Sequence, residues 1–135
     1  MATKLIEIEG IGPAMSGKLE EAGLKTVEEL LASGGSAKGR KDLAEATGIS
    51  ASRILRWVNM ADLFRLKGVG EQYADLLEAS GVDTVKELAR RNAANLHAKM
   101  EEVNAERNLV NRTPSLAAVT SWIEEAGTLE PMVSH

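Results

Sequence analysis

The sequence predicts an all-α chain of short helices in two similar halves, on three observations. First, the chain aligns on itself. Residues 8–31 (IEGIGPAMSGKLEEAGLKTVEELL) match residues 66–89 (LKGVGEQYADLLEASGVDTVKELA) without gaps at an offset of 58, with nine identities in 24 positions and all three glycines of the second segment matched. Second, each half carries the same helix punctuation: a Gly-x-Gly start, a glycine stop at Gly23 or Gly81, and a Thr-x-x-Glu capping box at Thr26–Glu29 or Thr84–Glu87. Third, no stretch alternates apolar and polar residues as a half-buried strand must.

The elements follow in order. Gly12 with Pro13 starts a helix, because proline's missing N–H costs nothing in the first turn, and Gly23 stops it after residue 22. Thr26 opens the next helix. Gly34-Gly35-Ser36 with Lys38-Gly39 reads as a loop. A short helix over 41–47 closes at Gly48, and Ser50 caps a longer one to about residue 65. On that helix Trp57, Met60, Ala61 and Phe64 share a face, with Ile54 and Val58 beside it and Leu55 across. So wide an apolar cover predicts a central element buried on more than one side. Helices are expected again over 71–80, 85–90 and 95–104. Thr113-Pro114 then supplies an N-cap and first-turn proline for a last helix ending near Gly127. A looser match pairs Leu55-Arg56-Trp57-Val58 with Thr120-Ser121-Trp122-Ile123 at an offset of 65, which puts the extra length around residues 101–111. The expected division is 1–62, 63–127 and a polar C-terminal tail at 128–135.

Composition sets bounds on function. The chain has 135 residues, 44% hydrophobic and 27% charged, an ordinary folded composition. No apolar run is long enough for a membrane span, and Met1-Ala2-Thr3-Lys4 opens no secretory signal, so a bacterial-type cytoplasmic location is expected. Zero cysteines exclude disulfides and thiolate zinc sites. Two histidines, His97 and His135, leave little for imidazole chemistry. A net charge of −4 argues against nucleic-acid binding by bulk charge.

The segments Leu5-x-x-Ile8-x-Gly10-Ile11-Gly12-x-x-x-Ser16-x-x-Leu19 and Leu63-x-x-Leu66-x-Gly68-Val69-Gly70-x-x-x-Ala74-x-x-Leu77 resemble helix-hairpin-helix motifs. Reversing two helices in so few residues favours glycine, the apolar residue between the glycines plugs the gap, and a small residue at Ser16 or Ala74 permits close helix contact. The second glycine then stands at a helix N-terminus, where N–H groups can face a phosphate. Degenerate hairpins are expected at Thr47-Gly48-Ile49-Ser50 and near Asn111-Arg112-Thr113-Pro114. With GRKDLAEATGIS, RILRWVNMADLFRLKGVGEQYADLLEASGVDTVKELARRN and TPSLAAVTSWIEEA, residues 4–127 resemble a bacterial helix-hairpin-helix family, domain of unknown function 4332. That resemblance implies two tandem hairpin pairs from an internal duplication, four hairpins in all, in a SAM-like short-helix bundle.

Helix-hairpin-helix modules mostly hold DNA through backbone phosphates without reading bases. The resemblance therefore implies main-chain phosphate contacts at Gly10, Ile11, Gly12, Gly48, Ile49, Ser50, Gly68, Val69 and Gly70. The residues after the second glycine depart from the DNA-binding pattern. They are Pro13-Ala14 and Glu71-Gln72 rather than Lys or Arg, Glu71 would repel a phosphate, and Glu7 and Glu9 flank the first hairpin. Lys18 and Lys67 are the cations nearest in sequence. Residues 38–67 nevertheless carry a net +4, with Lys38, Arg40, Lys41, Arg53, Arg56, Arg65 and Lys67 against three acids, while 1–35 carry −3 and 101–135 carry −4. This basic centre is the first place to look for an anion, unless it pairs with the acidic ends, within one molecule or between two.

The remaining residues have plainer readings. Trp57 and Trp122 fit the core better than a stacking platform for bases, and Tyr73, matching Met15, fits packing. Adjacent pairs such as Glu20-Glu21, Glu28-Glu29 and Glu101-Glu102 diverge on a helix and make no metal site or acid–base pair. His97 is a lone histidine, and Arg90-Arg91 suits a helix C-terminus. No catalytic constellation, cofactor fingerprint or small-molecule site is legible. The expectation is a non-enzymatic module that binds double-stranded DNA. The alternative is a protein-interaction or scaffold module, or one that self-associates, which has lost that activity.

Overall fold

In the computed structural model, residues 3–8 and 10–134 are described. Their regular elements are all helices, with one isolated antiparallel bridge between Lys4 and Thr26 and no strand among them. Two compact units divide the chain: Met1–Asp62 with Met132–His135, and Leu63–Pro131.

Unit 1 opens with a 3-10 turn at Leu5–Glu7, followed by α1 (Pro13–Glu21), α2 (Val27–Gly34), α3 (Ala37–Thr47) and α4 (Ala51–Leu63, of which Leu63 falls to unit 2). α3 packs on α1 and α2. Leu5, Ile8, Leu19, Leu30, Ile54, Trp57 and Val58 are buried. Each fully buried aliphatic or aromatic side chain contributes roughly 1.5–3 kcal/mol. α4 is buried from Trp57 to Leu63 apart from half-buried Asn59, and Leu55 is half-buried on the opposite side. Phe64 and Arg65 lie beyond its end.

Unit 2 contains α5 (Glu71–Ala79), α6 (Val85–Leu88), α7 (Ala93–Arg107) and α8 (Leu116–Ala126). α7 packs on α5 and α8, and α6 on α8. Leu76, Leu77, Leu88, Leu96, Met100 and Val119 fill the interior.

The self-aligned segments share a backbone. Gly10 and Gly68 take φ of +93° and +85°, and Gly23 and Gly81 take +91° and +95°. Ile11 N–H donates to the Ile8 carbonyl at 3.0 Å, and Val69 N–H to the Leu66 carbonyl at 3.2 Å. Leu24 N–H reaches the Leu19 carbonyl, and Val82 N–H the Leu77 carbonyl, both at 2.9 Å. The Thr26 hydroxyl accepts from Glu29 N–H at 3.1 Å, and the Thr84 hydroxyl from Glu87 N–H at 3.3 Å.

Several expected boundaries change. Lys38 and Gly39 are helical, because Ser36 caps α3 by accepting from Gly39 N–H at 3.0 Å. Gly39 fits there because α3 lies so close to α2 that a Cβ would collide with the Ser33 carbonyl. The last helix is capped by Ser115, whose hydroxyl accepts from Ala118 N–H at 3.1 Å. Thr113 instead donates to Glu101 at 2.5 Å, and Pro114 is buried outside the helix. α7 runs 15 residues against the 11 of α3 and ends at Asn108, a left-handed residue with φ 52°. The segment expected as a degenerate hairpin near residues 111–114 lies in the connection between α7 and α8, which bends at residues 111 and 112 and whose start is held by the Asn104 amide. That side chain accepts from Val110 N–H at 2.9 Å and donates to the Val110 carbonyl at 3.1 Å. α6 has four residues, half the length of α2.

Candidate nucleic-acid interface

In unit 1 the first hairpin is a surface feature with a buried plug. Gly10 is exposed, Gly12 half-exposed, and Ile11 only 3% exposed. Gly12 is the N-cap of α1 with an extended backbone, and no side chain caps the helix. The first-turn N–H groups of α1 therefore lack intrahelical acceptors, and that turn carries no carboxylate. The Glu7 carboxylate accepts from Lys4 N–H at 3.1 Å. Glu9 lies outside the described residues, as do Met1, Ala2 and His135.

The indole of Trp57 backs this hairpin. A Cβ placed on Gly10 would stand 3.2 Å from the indole Nε1, so this corner tolerates neither a side chain nor, at φ +93°, an ordinary L-residue backbone. On the same indole lies the Arg53 guanidinium, 5.3 Å from the ring centroid. An exposed cation–π contact of this kind contributes about 0.5–1 kcal/mol and limits where the guanidinium can sit. The fold thus gathers Gly10, Ile11, Gly12, Trp57 and Arg53. Sequence reasoning grouped Arg53 with the cations of residues 38–67 and missed its link to the first Gly-x-Gly turn. The spacing Trp57 minus four on one helix was the available signal.

The other basic candidates divide. Lys18 and Lys41 are exposed, and Lys38 pairs with Asp42 at 3.3 Å across one helical turn. Arg56 is exposed on α4. Arg40 is 5% exposed and points inward. Its Nη1 donates to the Gly34 and Gly35 carbonyls, both at 2.9 Å, and its Nη2 to the Ser134 carbonyl. Burial lowers its pKa from the usual arginine value. It caps the negative end of α2 and is not displayed to solvent. At the Gly48-Ile49-Ser50 turn, Gly48 takes the left-handed conformation, Ile49 is buried, and the Ser50 hydroxyl accepts from Arg53 N–H at 3.4 Å.

In unit 2 the second hairpin has a different neighbourhood. Gly68 and Gly70 are exposed and Val69 is buried. Trp122 Nε1 donates to the Lys67 carbonyl at 3.2 Å, and Glu125 accepts from Lys67 N–H at 3.0 Å, so the approach to the hairpin is tied to α8. Tyr73, not arginine, packs on this tryptophan, with ring centroids 5.4 Å apart and its hydroxyl donating to the Arg112 carbonyl at 3.1 Å. Glu71 stands in the first turn of α5. An open groove of about 400 Å³ lies alongside, lined by Gly70, Glu71, Gln72, Tyr73, Asn111 and Arg112. His97 lines an adjoining groove and approaches Glu101 at 3.6 Å.

The chain belongs to the family described as domain of unknown function DUF4332, whose profile matches residues 9–129. No curated protein and no solved structure matches the chain. Among the described residues no helix is long and apolar enough to cross a membrane.

Proposed function

We propose that the chain is a non-enzymatic, duplicated helix-hairpin-helix protein that holds the phosphate backbone of duplex DNA without reading bases, and that unit 1 does the holding. The observation that supports this reading is the Trp57 indole, which lies against the Gly10 corner and carries the Arg53 guanidinium over its ring, with the uncapped N-terminus of α1 two residues after Gly10. Gly12 adds support. Its backbone is extended and a Cβ on it would meet nothing within 4 Å, so the fold does not require a glycine there. A bare N-cap facing solvent does suit close approach by a phosphate.

The test is a salt titration of binding to a fluorescent duplex and to the matching single strand. Affinity is expected to fall linearly in log–log form with a slope of about −0.9 per phosphate contacted. Arg53→Glu with Arg56→Glu should abolish binding while the circular dichroism spectrum stays helical. Absence of any anisotropy change at low ionic strength, with folded protein in excess, removes the proposal.

A second reading, a protein-interaction module, is favoured at unit 2 by Glu71 in the first turn of α5 and by the groove beside it. Self-association measured by sedimentation, and its loss in Tyr73→Ala, would support it.

A further inference from the structure

Residues 132–134 do more than trail from the fold. Ser134 N–H donates to the Gly35 carbonyl at 2.8 Å, and the Ser134 carbonyl accepts from Arg40 Nη2. Gly35 lies at φ −64°, ψ −33°, a helical backbone that any residue adopts. A Cβ there would nevertheless collide with the Met132 carbonyl oxygen. The missing side chain at Gly35 is therefore explained by the segment lying across it.

Arg40 is the pivot of this arrangement. Among the described residues its acceptors are three main-chain carbonyls, two from the end of α2 and one from Ser134. The first two belong to the helix that Arg40 caps and stay with it. The third belongs to a three-residue segment on the surface, in which Met132 and Ser134 are exposed. A guanidinium presents its donors in a rigid fork that matches an oxyanion at least as well as a carbonyl.

We propose that residues 132–134 are a detachable strap over a concealed anion receptor. When the strap lifts, the Nη2 edge of Arg40 opens to a phosphate oxygen while Nη1 stays anchored on Gly34 and Gly35. Arg40 becomes one more contact of the phosphate-binding surface, so this inference rests on the reading above for its physiological ligand. The strap then restrains affinity until a ligand competes for it.

The experiment uses the full chain and two independent ways of lifting the strap. Gly35→Ala introduces the collision at a position where alanine suits the backbone, and Ser134→Pro removes the N–H donor. One readout is the Arg40 guanidinium resonance during titration with inorganic phosphate. The other is the salt dependence of duplex binding. Both variants should show a phosphate-dependent shift of Arg40 that is weak or missing in the parent. Their duplex affinity should rise several-fold, with a salt slope steeper by about 0.9, one added phosphate. Arg40→Gln in the Gly35→Ala background should cancel the gain. An Arg40 resonance indifferent to phosphate in both variants overturns the strap proposal, whatever the duplex does. An Arg40 shift in both variants with no duplex binding by any form upholds the receptor and overturns the DNA reading instead.

Discussion

The two glycine hairpins have the same backbone and different chemistry. Both turn at a left-handed glycine, both bury the aliphatic residue that follows, and both have a tryptophan nitrogen facing that glycine, from Trp57 on α4 and from Trp122 on α8. In unit 1 the indole carries Arg53, and the next helix begins with Pro13-Ala14-Met15. In unit 2 the position equivalent to Arg53 is Ala118, the indole carries Tyr73, and the next helix begins with Glu71. The bend is thus a scaffold that fixes where an indole and a helix N-terminus lie. The residue stacked on the indole decides whether that corner presents a cation or an aromatic ring.

The largest effect expected from breaking this comparison is on stability. Gly10→Ala forces a side chain into left-handed backbone and against Trp57, and should cost about 1–3 kcal/mol. Gly68→Ala meets the same backbone penalty, but its Cβ would stand 3.9 Å from the Trp122 nitrogen, an ordinary contact, so it should cost less. Gly12→Ser should instead be neutral or stabilising by a few tenths of a kcal/mol, because serine is the better N-cap. Its hydroxyl would occupy an N–H that a phosphate needs, so duplex affinity should drop while stability holds. Urea denaturation monitored by circular dichroism, run beside duplex titration, separates the three. Equal costs at Gly10 and Gly68 would remove the role given to the indole.

Next in size is a transplant. Glu71→Pro, Tyr73→Met and Ala118→Arg together give the second hairpin the neighbours of the first. If the stacked cation is what matters, duplex affinity should rise by about tenfold and the salt slope should steepen by about one contact. An unchanged slope in a folded variant would mean that the indole–arginine stack is not the operative element.

Much of the first hairpin was legible in sequence because its signals are local. Gly-x-Gly, the stop at Gly23 and the Thr26–Glu29 box each depend on a few adjacent residues, and each lies where the pattern put it. What was not legible depends on contacts distant in sequence. Arg40 sits in a run of cations and reads as a phosphate ligand. Only the return of residue 134 to Gly35 makes it an internal clamp. Lys38-Gly39 reads as a loop because glycine discourages helix, and the close approach of α3 to Ser33 overrides that preference. The polar segment after Gly127 gave no sequence signal that part of it packs.

The helix ends give a smaller contrast. α3 stops at Gly48 with φ 75°, and α7 stops at Asn108 with φ 52°. Asparagine tolerates the left-handed region at some cost, so Asn108→Gly should stabilise unit 2 by up to about 1 kcal/mol, and Gly48→Asn should destabilise unit 1 by a similar amount. Hydrogen exchange resolved by residue would assign each change to its unit. Equal and opposite shifts are the expected result, and a loss in both variants would mean that the caps are held by something other than backbone preference.

The smallest expected effect concerns acid. Partial burial pulls the Glu28 carboxyl upward, but hydrogen bonds from Thr3 and from its own backbone outweigh that, and its pKa lies below the usual glutamate value. The bond from Thr3 N–H measures 2.9 Å. A carboxyl whose folded-state pKa is depressed contributes stability that is present above its unfolded pKa and is lost as pH falls through the folded one. The equivalent position in unit 2 is Lys86, not a carboxyl. Exchange of amides in α2 should therefore accelerate on acidification more than exchange in α6, after correction for intrinsic rates, and Glu28→Gln should remove the difference. The glutamine keeps an acceptor for Thr3 but not the titration. An acid response that survives Glu28→Gln would place its origin elsewhere in unit 1.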